Sequence, residues 1–290
     1  MEASKTNSRP FERIAVAVSF SPRIEGVIAE SVRYAKSMDA ELIFIHIRQG
    51  AEDHTGELEK LITKHTEDYL KHRIMVGEGN VVRALLRITK EFKIDLLIAG
   101  ALEKESYLKY YLGSVSRKLA RHAHCSLLLL KDPSVTPHPI NKIIVDGRDD
   151  ERTINTIQTA LYLAECKNCT EVYVVRENEL SGIATLVNQQ YQEETDNLHL
   201  QLEREEYRHM ESLIKKIDTG TIDVKHMIIE GKPGYEIGNF ARSEEADLLV
   251  ISSHNSRFGI LSRFFPSSFE HLLENLPSSL LIVHSDLSSN

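Results

Sequence analysis

The sequence has no tryptophan and few cysteines, and what it lacks excludes several classes of protein. Its three cysteines, Cys125, Cys166 and Cys169, are too few for a disulfide framework, so we expect a reducing, cytoplasmic setting. Its apolar runs are short, and none approaches the roughly 20 residues that span a membrane. The stretch MEASKTNSRPFER contains no apolar core, and we therefore expect no secretory signal.

The sequence also has fewer basic than acidic residues. The net charge is −8 and the pI is near 5.9, whereas a nucleic-acid-binding surface needs a basic patch. We therefore expect neither a nucleic-acid nor a membrane partner. The 290 residues are 41% hydrophobic, which is enough for two folded domains with their own cores.

What the sequence does contain is an alternation of strand and helix patterns. Apolar, β-branched runs predict strands at residues 13–18, 41–47, 72–76, 94–99 and 126–130, with helical spacing between them. This alternation is typical of an α/β fold with a doubly wound parallel sheet. Ligands of such sheets bind beyond the carboxyl ends of the strands, where Ser19 and Gly100 are expected.

The pattern then repeats. Residues 141–145 match the first strand, Asp146-Gly147 match its end, and Asp247-Leu-Leu-Val-Ile repeats Asp95-Leu-Leu-Ile-Ala. Prolines between the copies stiffen the chain and stop any helix. The repeat predicts a first domain at 1–133, a linker at 134–140, and a second domain at 141–290 with a long helical insertion at about 181–217.

A candidate phosphate-binding loop follows the fourth strand. Gly100 ends that strand, and Gly113-Ser114 open the next helix, whose N-terminus offers free N–H groups and a partial positive charge. Serine is also a common helix cap and glycine a common turn residue. The residues alone therefore leave a phosphate anchor and an ordinary helix start both open.

The block LGSVSRKLARHAHCSLLLL at residues 112–130, together with Arg13–Val18, resembles the universal stress protein family. Because the match extends to both halves, the chain is identified as a tandem, two-domain member. The resemblance implies two doubly wound parallel-sheet domains of the universal stress protein type, similar to adenine nucleotide alpha hydrolases. It also implies an intramolecular pseudo-dimer in which the last strands, Leu127–Leu130 and Leu280–Val283, meet.

The resemblance further implies a nucleotide site. ATP-binding members carry G-x2-G-x9-G-[ST] and an Asp after the first strand. In the first domain Glu103 replaces the middle glycine and Ser19 stands at the Asp position. The candidate residues of the first domain are Ser19, Ser21, Gly100, Glu103, Gly113, Ser114 and Val115.

The second domain matches the nucleotide motif less well. It keeps an Asp after its first strand but has Pro266, which lacks an N–H donor, where the motif has its last glycine. The weaker candidates there are Asp146, Gly147, Ser252 and Ser267. No metal site and no catalytic residue are expected, and Cys166-Lys-Asn-Cys169 is interpreted as a turn with incidental thiols rather than a redox pair or half a metal site.

Two function classes stay open. The first is a stress-response regulatory protein that acts by interaction with an unidentified protein partner, has a degenerate nucleotide pocket and uses no cofactor. The alternative is a stress sensor that binds ATP or AMP, with magnesium, through the Gly100 and Gly113-Ser114 loop. Glu103 and Ser19 favour the first class. A slow ATPase is a third, weaker hypothesis, and association of two chains into a homodimer is left open.

Overall fold

The structure, a computed structural model, describes most of the chain. The described residues are 9–48, 54–66, 71–103, 110–111, 113–178, 192–232, 234–253 and 267–285, of which 102–103, 110–111, 192–199 and 267–269 are described by their backbone. They group into two compact units. Residues 1–100 with 118–138 form one unit, and residues 101–117 with 139–290 form the other.

The first half of the chain forms a parallel sheet with helices between its strands. Its elements are β1 (Arg13–Val18), α1 (Ile24–Met38), β2 (Glu41–Arg48), α2 (Thr55–Thr66), β3 (His72–Glu78), α3 (Val81–Glu91), β4 (Leu96–Gly100), β5 (Leu102–Glu103), β6 (Tyr110–Tyr111), α4 (Ser114–His122) and β7 (Ser126–Leu130). The strand order is β3-β2-β1-β4-β7, and each neighbouring pair is parallel. The predicted doubly wound sheet is confirmed.

The second half repeats this topology. Its elements are β8 (Lys142–Asp146), α5 (Thr153–Lys167), β9 (Glu171–Asn178), α6 (Gln192–Ile214), β10 (Asp223–Glu230), α7 (Glu236–Ser243), β11 (Leu248–Ser252), α8 (Ser267–Glu274) and β12 (Ser279–Val283). The order β10-β9-β8-β11-β12 is again fully parallel. The tandem repeat is therefore a repeat of structure as well as of sequence.

The central strands are apolar because helices cover both faces of each sheet. Every residue of β7 and of β11 is buried, as expected for strands of a parallel sheet. Helix α1 buries Val27, Ile28 and Val32, which lie on the apolar face that its spacing predicts. Among the described residues, no helix is long and apolar enough to cross a membrane.

The predicted helical insertion is present in the part of it that the structure describes. Helix α6 spans 23 residues, and residues 181–191 of the insertion lie outside the described chain. Met210 and, just beyond the helix, Ile217 are buried, whereas Leu200 is exposed. The insertion therefore packs its C-terminal half against the second domain.

An aspartate at the start of β4 holds the start of β1, and the same contact recurs in the second half. The carboxylate of Asp95 accepts hydrogen bonds from the backbone N–H groups of Glu12 and Arg13, at 2.9 and 2.8 Å. Asp247 accepts from Asn141 and Lys142, at 2.7 and 3.0 Å. These two carboxylate clamps fix the register of each first strand against its neighbour.

The chain segment that follows β7, at residues 133–135, lies along α1. Arg33 donates to the carbonyl oxygens of Ser134 and Val135, at 2.6 and 2.9 Å. A Cβ added to Gly26 would lie 2.3 Å from the carbonyl oxygen of Pro133, so only glycine allows this approach. This part of the chain is thus held by specific contacts and is not a free tether.

We predict that each clamp stabilises its own half of the molecule. Replacing Asp95 by Ala removes the acceptor of two charge-assisted hydrogen bonds and should cost about 2–4 kcal/mol. Hydrogen exchange of the full chain should then accelerate in β1 and β2 and stay unchanged in β8 and β9. Asp247→Ala should give the reverse pattern, so each variant controls for the other. Equal protection of β1 in Asp95→Ala and the wild type would contradict this prediction.

Candidate functional site

The carboxylate clamps allow the two candidate sites to be compared residue by residue. Because Asp95 and Asp247 hold equivalent N–H groups, Arg13 corresponds to Lys142. Strand pairing agrees, since Ile14 lies opposite Leu96 and Ile143 lies opposite Leu248. Counting forward, Asp146 corresponds to Ala17, and the residue that corresponds to Ser19 is Arg148. The expectation that Asp146 occupies the Ser19 position is therefore wrong by two residues.

In the first domain, the turn after β1 is uncharged and open. Ser19 is exposed, and Ser21 is half-buried and accepts a hydrogen bond from the N–H of Ile24 at the start of α1, at 3.1 Å. Phe20 is 39% exposed, and its ring lies 5.4 Å from that of His46 and 5.1 Å from that of His54. An aromatic cluster therefore borders the two predicted serines.

Gly100 has a packing role that does not involve a ligand. A Cβ at this position would lie 2.9 Å from Cγ2 of Val27, a stiff side chain in α1. The close passage of α1 across the end of β4 is thus enough to require glycine here. The presence of glycine at this position does not by itself indicate a phosphate site.

The predicted helix start at Gly113-Ser114 is confirmed. Helix α4 begins at Ser114, and the carbonyl of Gly113 accepts a hydrogen bond from the N–H of Arg117 at 3.0 Å. Ser114 is exposed and Val115 half-buried, and the first N–H groups of an α-helix are donors that suit an anion. The backbone of Glu103 pairs with Tyr110 between β5 and β6, and its side chain lies outside the described atoms.

In the second domain, an ion pair occupies the corresponding turn. The guanidinium of Arg148 donates through Nε to Oδ2 of Asp146, at 2.6 Å, and a second contact runs from Nη2 to the same oxygen. The N–H of Arg148 also donates to Oδ1 of Asp146, at 3.1 Å. Burial lowers the pKa of Arg148, but the carboxylates of Asp146, Asp150 and Glu177 together more than offset it, so the pKa lies above its ordinary value. Asp146 is therefore fully engaged within its own turn.

Ser252, which corresponds to Gly100, faces a carboxylate. Its hydroxyl lies 3.5 Å from Oδ2 of Asp150, the residue that corresponds to Ser21. The other oxygen of Asp150 accepts from the N–H of Arg152 at 2.7 Å, and Arg152 donates to the carbonyl of Ser253 at 2.7 Å. Among the described residues, the end of β11 is thus hydrogen-bonded to the turn after β8 and faces the Asp150 carboxylate.

A second arginine connects this turn to the inserted helix. Arg176 is 4% exposed, donates through Nε to the carbonyl of Gly147 at 2.8 Å, and through Nη1 to Glu206 of α6 at 2.6 Å. Gly147 is itself buried, and a Cβ placed on it would lie 3.3 Å from Sδ of Met210. Helix α6 therefore lies directly on the turn that the resemblance assigns to the ligand.

Glu177 fixes the neighbouring helix at the same edge of the sheet. Its carboxylate accepts hydrogen bonds from the N–H groups of Gly234 and Ile237, at 2.5 and 2.7 Å, around the start of α7. Burial raises the pKa of the Glu177 carboxyl, against these two donors, which lower it. This carboxylate holds a helix N-terminus that would otherwise be available to an anion.

Asp146 ends β8 and Gly147 follows it, while Ser252 ends the neighbouring strand β11. Ser267 begins α8, and Pro266 lies outside the described residues. Sequence reasoning missed Arg148, Arg176 and, in the first domain, His46. The signal that finds Arg148 is the spacing from the carboxylate clamp, and strand register places Arg176 and His46 at corresponding positions.

Within the described residues, the cysteines and the side chains that could bind a metal form no further candidate site. Cys169 donates to the carbonyl of Asn141, at 3.2 Å, and burial raises the pKa of its thiol. Burial, with a smaller contribution from Asp95, raises the pKa of Cys125 to about 12. Within the described parts of the chain, no group of three or more side chains is arranged to hold a metal ion.

Comparison with known proteins matches both halves to one family. The profile of the Universal stress protein family matches residues 10–131 and 141–284. A universal stress protein of Methanocaldococcus jannaschii is 24% identical over 121 residues, which cover 41% of this chain and 71% of that protein.

Solved structures give the same fold. A protein described as a universal stress protein from Pseudomonas aeruginosa UCBPP-PA14 has a TM-score of 0.71 at 19% identity, with 94% of this chain and 93% of that chain covered. A universal stress protein from Archaeoglobus fulgidus DSM 4304 has a TM-score of 0.65 at 14% identity, with 94% and 99% covered. At these identities the likeness shows the fold alone.

We predict that the thiols of Cys166 and Cys125 differ strongly in their rates of alkylation. Native protein treated with iodoacetamide at pH 8 should be modified at the half-buried Cys166 at least about tenfold faster than at Cys125, because only the thiolate reacts and burial suppresses it. Peptide mass spectrometry measures the two rates, and unfolding in denaturant should equalise them. Equal rates in the native protein would contradict the burial described for Cys125.

Proposed function

The chain belongs to the universal stress protein family, and from that membership we propose that it is a stress-response regulatory protein that acts through protein contacts. We propose further that its second domain binds no nucleotide. Catalysis is not part of this proposal. The pairing of the two domains through their last strands, and any homodimer, stay predictions.

The observation that carries the proposal is the charge at the turn after β8. Among the described residues, six carboxylates lie at or around it, on Asp146, Asp149, Asp150, Glu151, Glu177 and Glu206, against three guanidinium groups, on Arg148, Arg152 and Arg176. The arginines are already engaged with carboxylates or backbone carbonyls. A triphosphate would add negative charge to a turn with a net negative charge, and the like charges repel. The charged groups of this turn are therefore paired with one another without a nucleotide.

Surface residues of α6 support the proposal that the protein acts through contacts with another protein. Leu200 is 50% exposed and Tyr207 is 47% exposed on α6, among charged residues of both signs. Aromatic side chains are enriched in protein interfaces. The net charge of −8 argues against nucleic acid as the partner. An unidentified protein is therefore the partner that we propose.

A second candidate function is a stress sensor that binds ATP or AMP in the first domain. Two observations favour it, the uncharged turn at which Ser19 is exposed and, separately, the exposed Ser114 at the start of α4. The helix N-terminus suits a phosphate group, and the Phe20 ring offers a surface on which a base can stack. Magnesium would accompany ATP in this function, and Glu103 would weaken it by charge repulsion.

We predict that any nucleotide binds at the first domain alone. In calorimetric titrations of the full chain with ATP and magnesium, and separately with AMP, we expect at most one nucleotide per chain. Ser114→Ala should weaken binding about tenfold, because it removes a hydroxyl hydrogen bond to an anion. Ser267→Ala, the matched change at the start of α8, should leave the affinity unchanged, and Glu103→Gly should tighten it.

The outcomes separate the two functions. Binding of one nucleotide with this pattern of variants supports the sensor, and absence of binding supports a regulator that uses no nucleotide. Two nucleotides per chain, or weaker binding in Ser267→Ala, would contradict the proposal for the second domain. Release of phosphate during the ATP titration would reveal the slow ATPase that is the weakest of the three hypotheses.

A further inference from the structure

The two domains carry different side chains at one equivalent position beside the candidate turn. His46 of β2 lies opposite Val18, and Arg176 of β9 follows Val175, which lies opposite Asp146, so that Arg176 is at the corresponding position beside Gly147. Each side chain approaches the carbonyl oxygen of the residue across from it, with Nδ1 of His46 at 3.2 Å and Nε of Arg176 at 2.8 Å. The same local contact is thus made by an imidazole in one domain and a guanidinium in the other.

The guanidinium has further nitrogens that an imidazole lacks. Through Nη1, Arg176 reaches Oε2 of Glu206 in α6, at 2.6 Å, 30 residues away in the sequence. Because guanidinium is planar and rigid, it can bind the turn and the helix at the same time. Arg176 therefore bridges the carbonyl of Gly147 and the inserted helix.

A second contact on α6 lies one helical turn further along. Met210 follows Glu206 by four residues and so lies on the same face of the helix. It is 1% exposed, and its Sδ lies 3.3 Å from a Cβ placed on Gly147, so the helix and the turn pack without a gap. The ring of Tyr207 also packs on that of His226 in β10, with centroids 4.5 Å apart. These contacts place the C-terminal half of α6 over the turn.

We propose that Arg176 is the residue that determines whether the ligand turn is covered. In the second domain Arg176 binds both the carbonyl of Gly147 and Glu206, and in this way it holds α6 against Gly147 as a cover. In the first domain the equivalent residue is His46, whose imidazole has no third nitrogen with which to bind a helix, and at the turn beside it Ser19 is exposed and Phe20 is 39% exposed. The cover belongs to the chain itself, and no bound ligand is needed to explain the closure of the second site.

The energetics favour Arg176 as the controlling residue over the other polar contacts of α6. The ion pair between His209 and Asp149 spans 3.9 Å between exposed side chains, which stabilises little. Arg176 is buried, and a buried pair is strongly destabilised when one partner is removed. Glu206 is 39% exposed and can return to water when Arg176 is absent. Loss of Arg176 should therefore release the helix rather than unfold the domain.

The test is hydrogen exchange of the full chain carrying Arg176→His, which installs the residue of the first domain. We expect amides of residues 200–214 and 147–152 to exchange at least about tenfold faster than in the wild type. Amides of β11 and β12 should keep their protection. Arg208→His makes the same substitution at an exposed position of α6 and should behave like the wild type. No nucleotide is present, so the result does not depend on whether either domain binds one.

A second variant covers the case in which Arg176→His does not fold. Glu206→Gln keeps the helix and the shape of the side chain but removes the charge, and it should accelerate exchange in the same two segments by a smaller factor. Faster exchange confined to these segments supports the proposal. Wild-type protection of residues 200–214 in a folded Arg176→His protein, or in Glu206→Gln when the first variant fails to fold, would overturn it.

Discussion

A guanidinium that is withdrawn from water must be paired, and this requirement organises the carboxyl edge of the second sheet. Arg148 pairs with Asp146 within the same turn, and Arg176 pairs through Nε with the carbonyl of Gly147 and through Nη1 with Glu206. Among the described residues, the buried Nη2 of Arg176 has no hydrogen-bond partner. Each partner used in this way is unavailable to a ligand. The acceptors needed by two arginines thus convert a turn that could take a nucleotide into one that is complete by itself.

The two domains have the same framework and differ where the side chains meet at this edge. Both use an aspartate to hold the first strand, at Asp95 and at Asp247, and both follow the third strand with a glycine of positive φ, Gly79 and Gly231. The framework therefore sets where a ligand turn lies in each half. The side chains on it then determine whether that turn is open or filled, as Ser19 and Arg148 do at the same position.

The fold could be predicted from the sequence because its signals are local. Apolar runs, helical spacing and the repeated Asp-Leu-Leu pattern placed the strands of both sheets, and Gly113-Ser114 marked the start of α4. The candidate site of the second domain was less accessible. Asp146-Gly147 has the sequence expected at the end of a first strand, but register is set at the other end of that strand by Asp247, about a hundred residues away. The contact between Arg176 and Glu206 depends on the packing of α6, a 23-residue helix whose counterpart in the first domain, α2, has 12 residues. Gly100 is required by the close approach of Val27 in α1, a tertiary contact that the sequence pattern does not show.

The most direct test of this account is an experimental structure of the full chain with ATP and magnesium at millimolar concentration. The account predicts that the contacts between Arg148 and Asp146 and between Arg176 and Glu206 persist, with no nucleotide at Gly147. Any nucleotide should lie at the start of α4 in the first domain. Nucleotide density beside Gly147, with Arg148 displaced from Asp146, would contradict it.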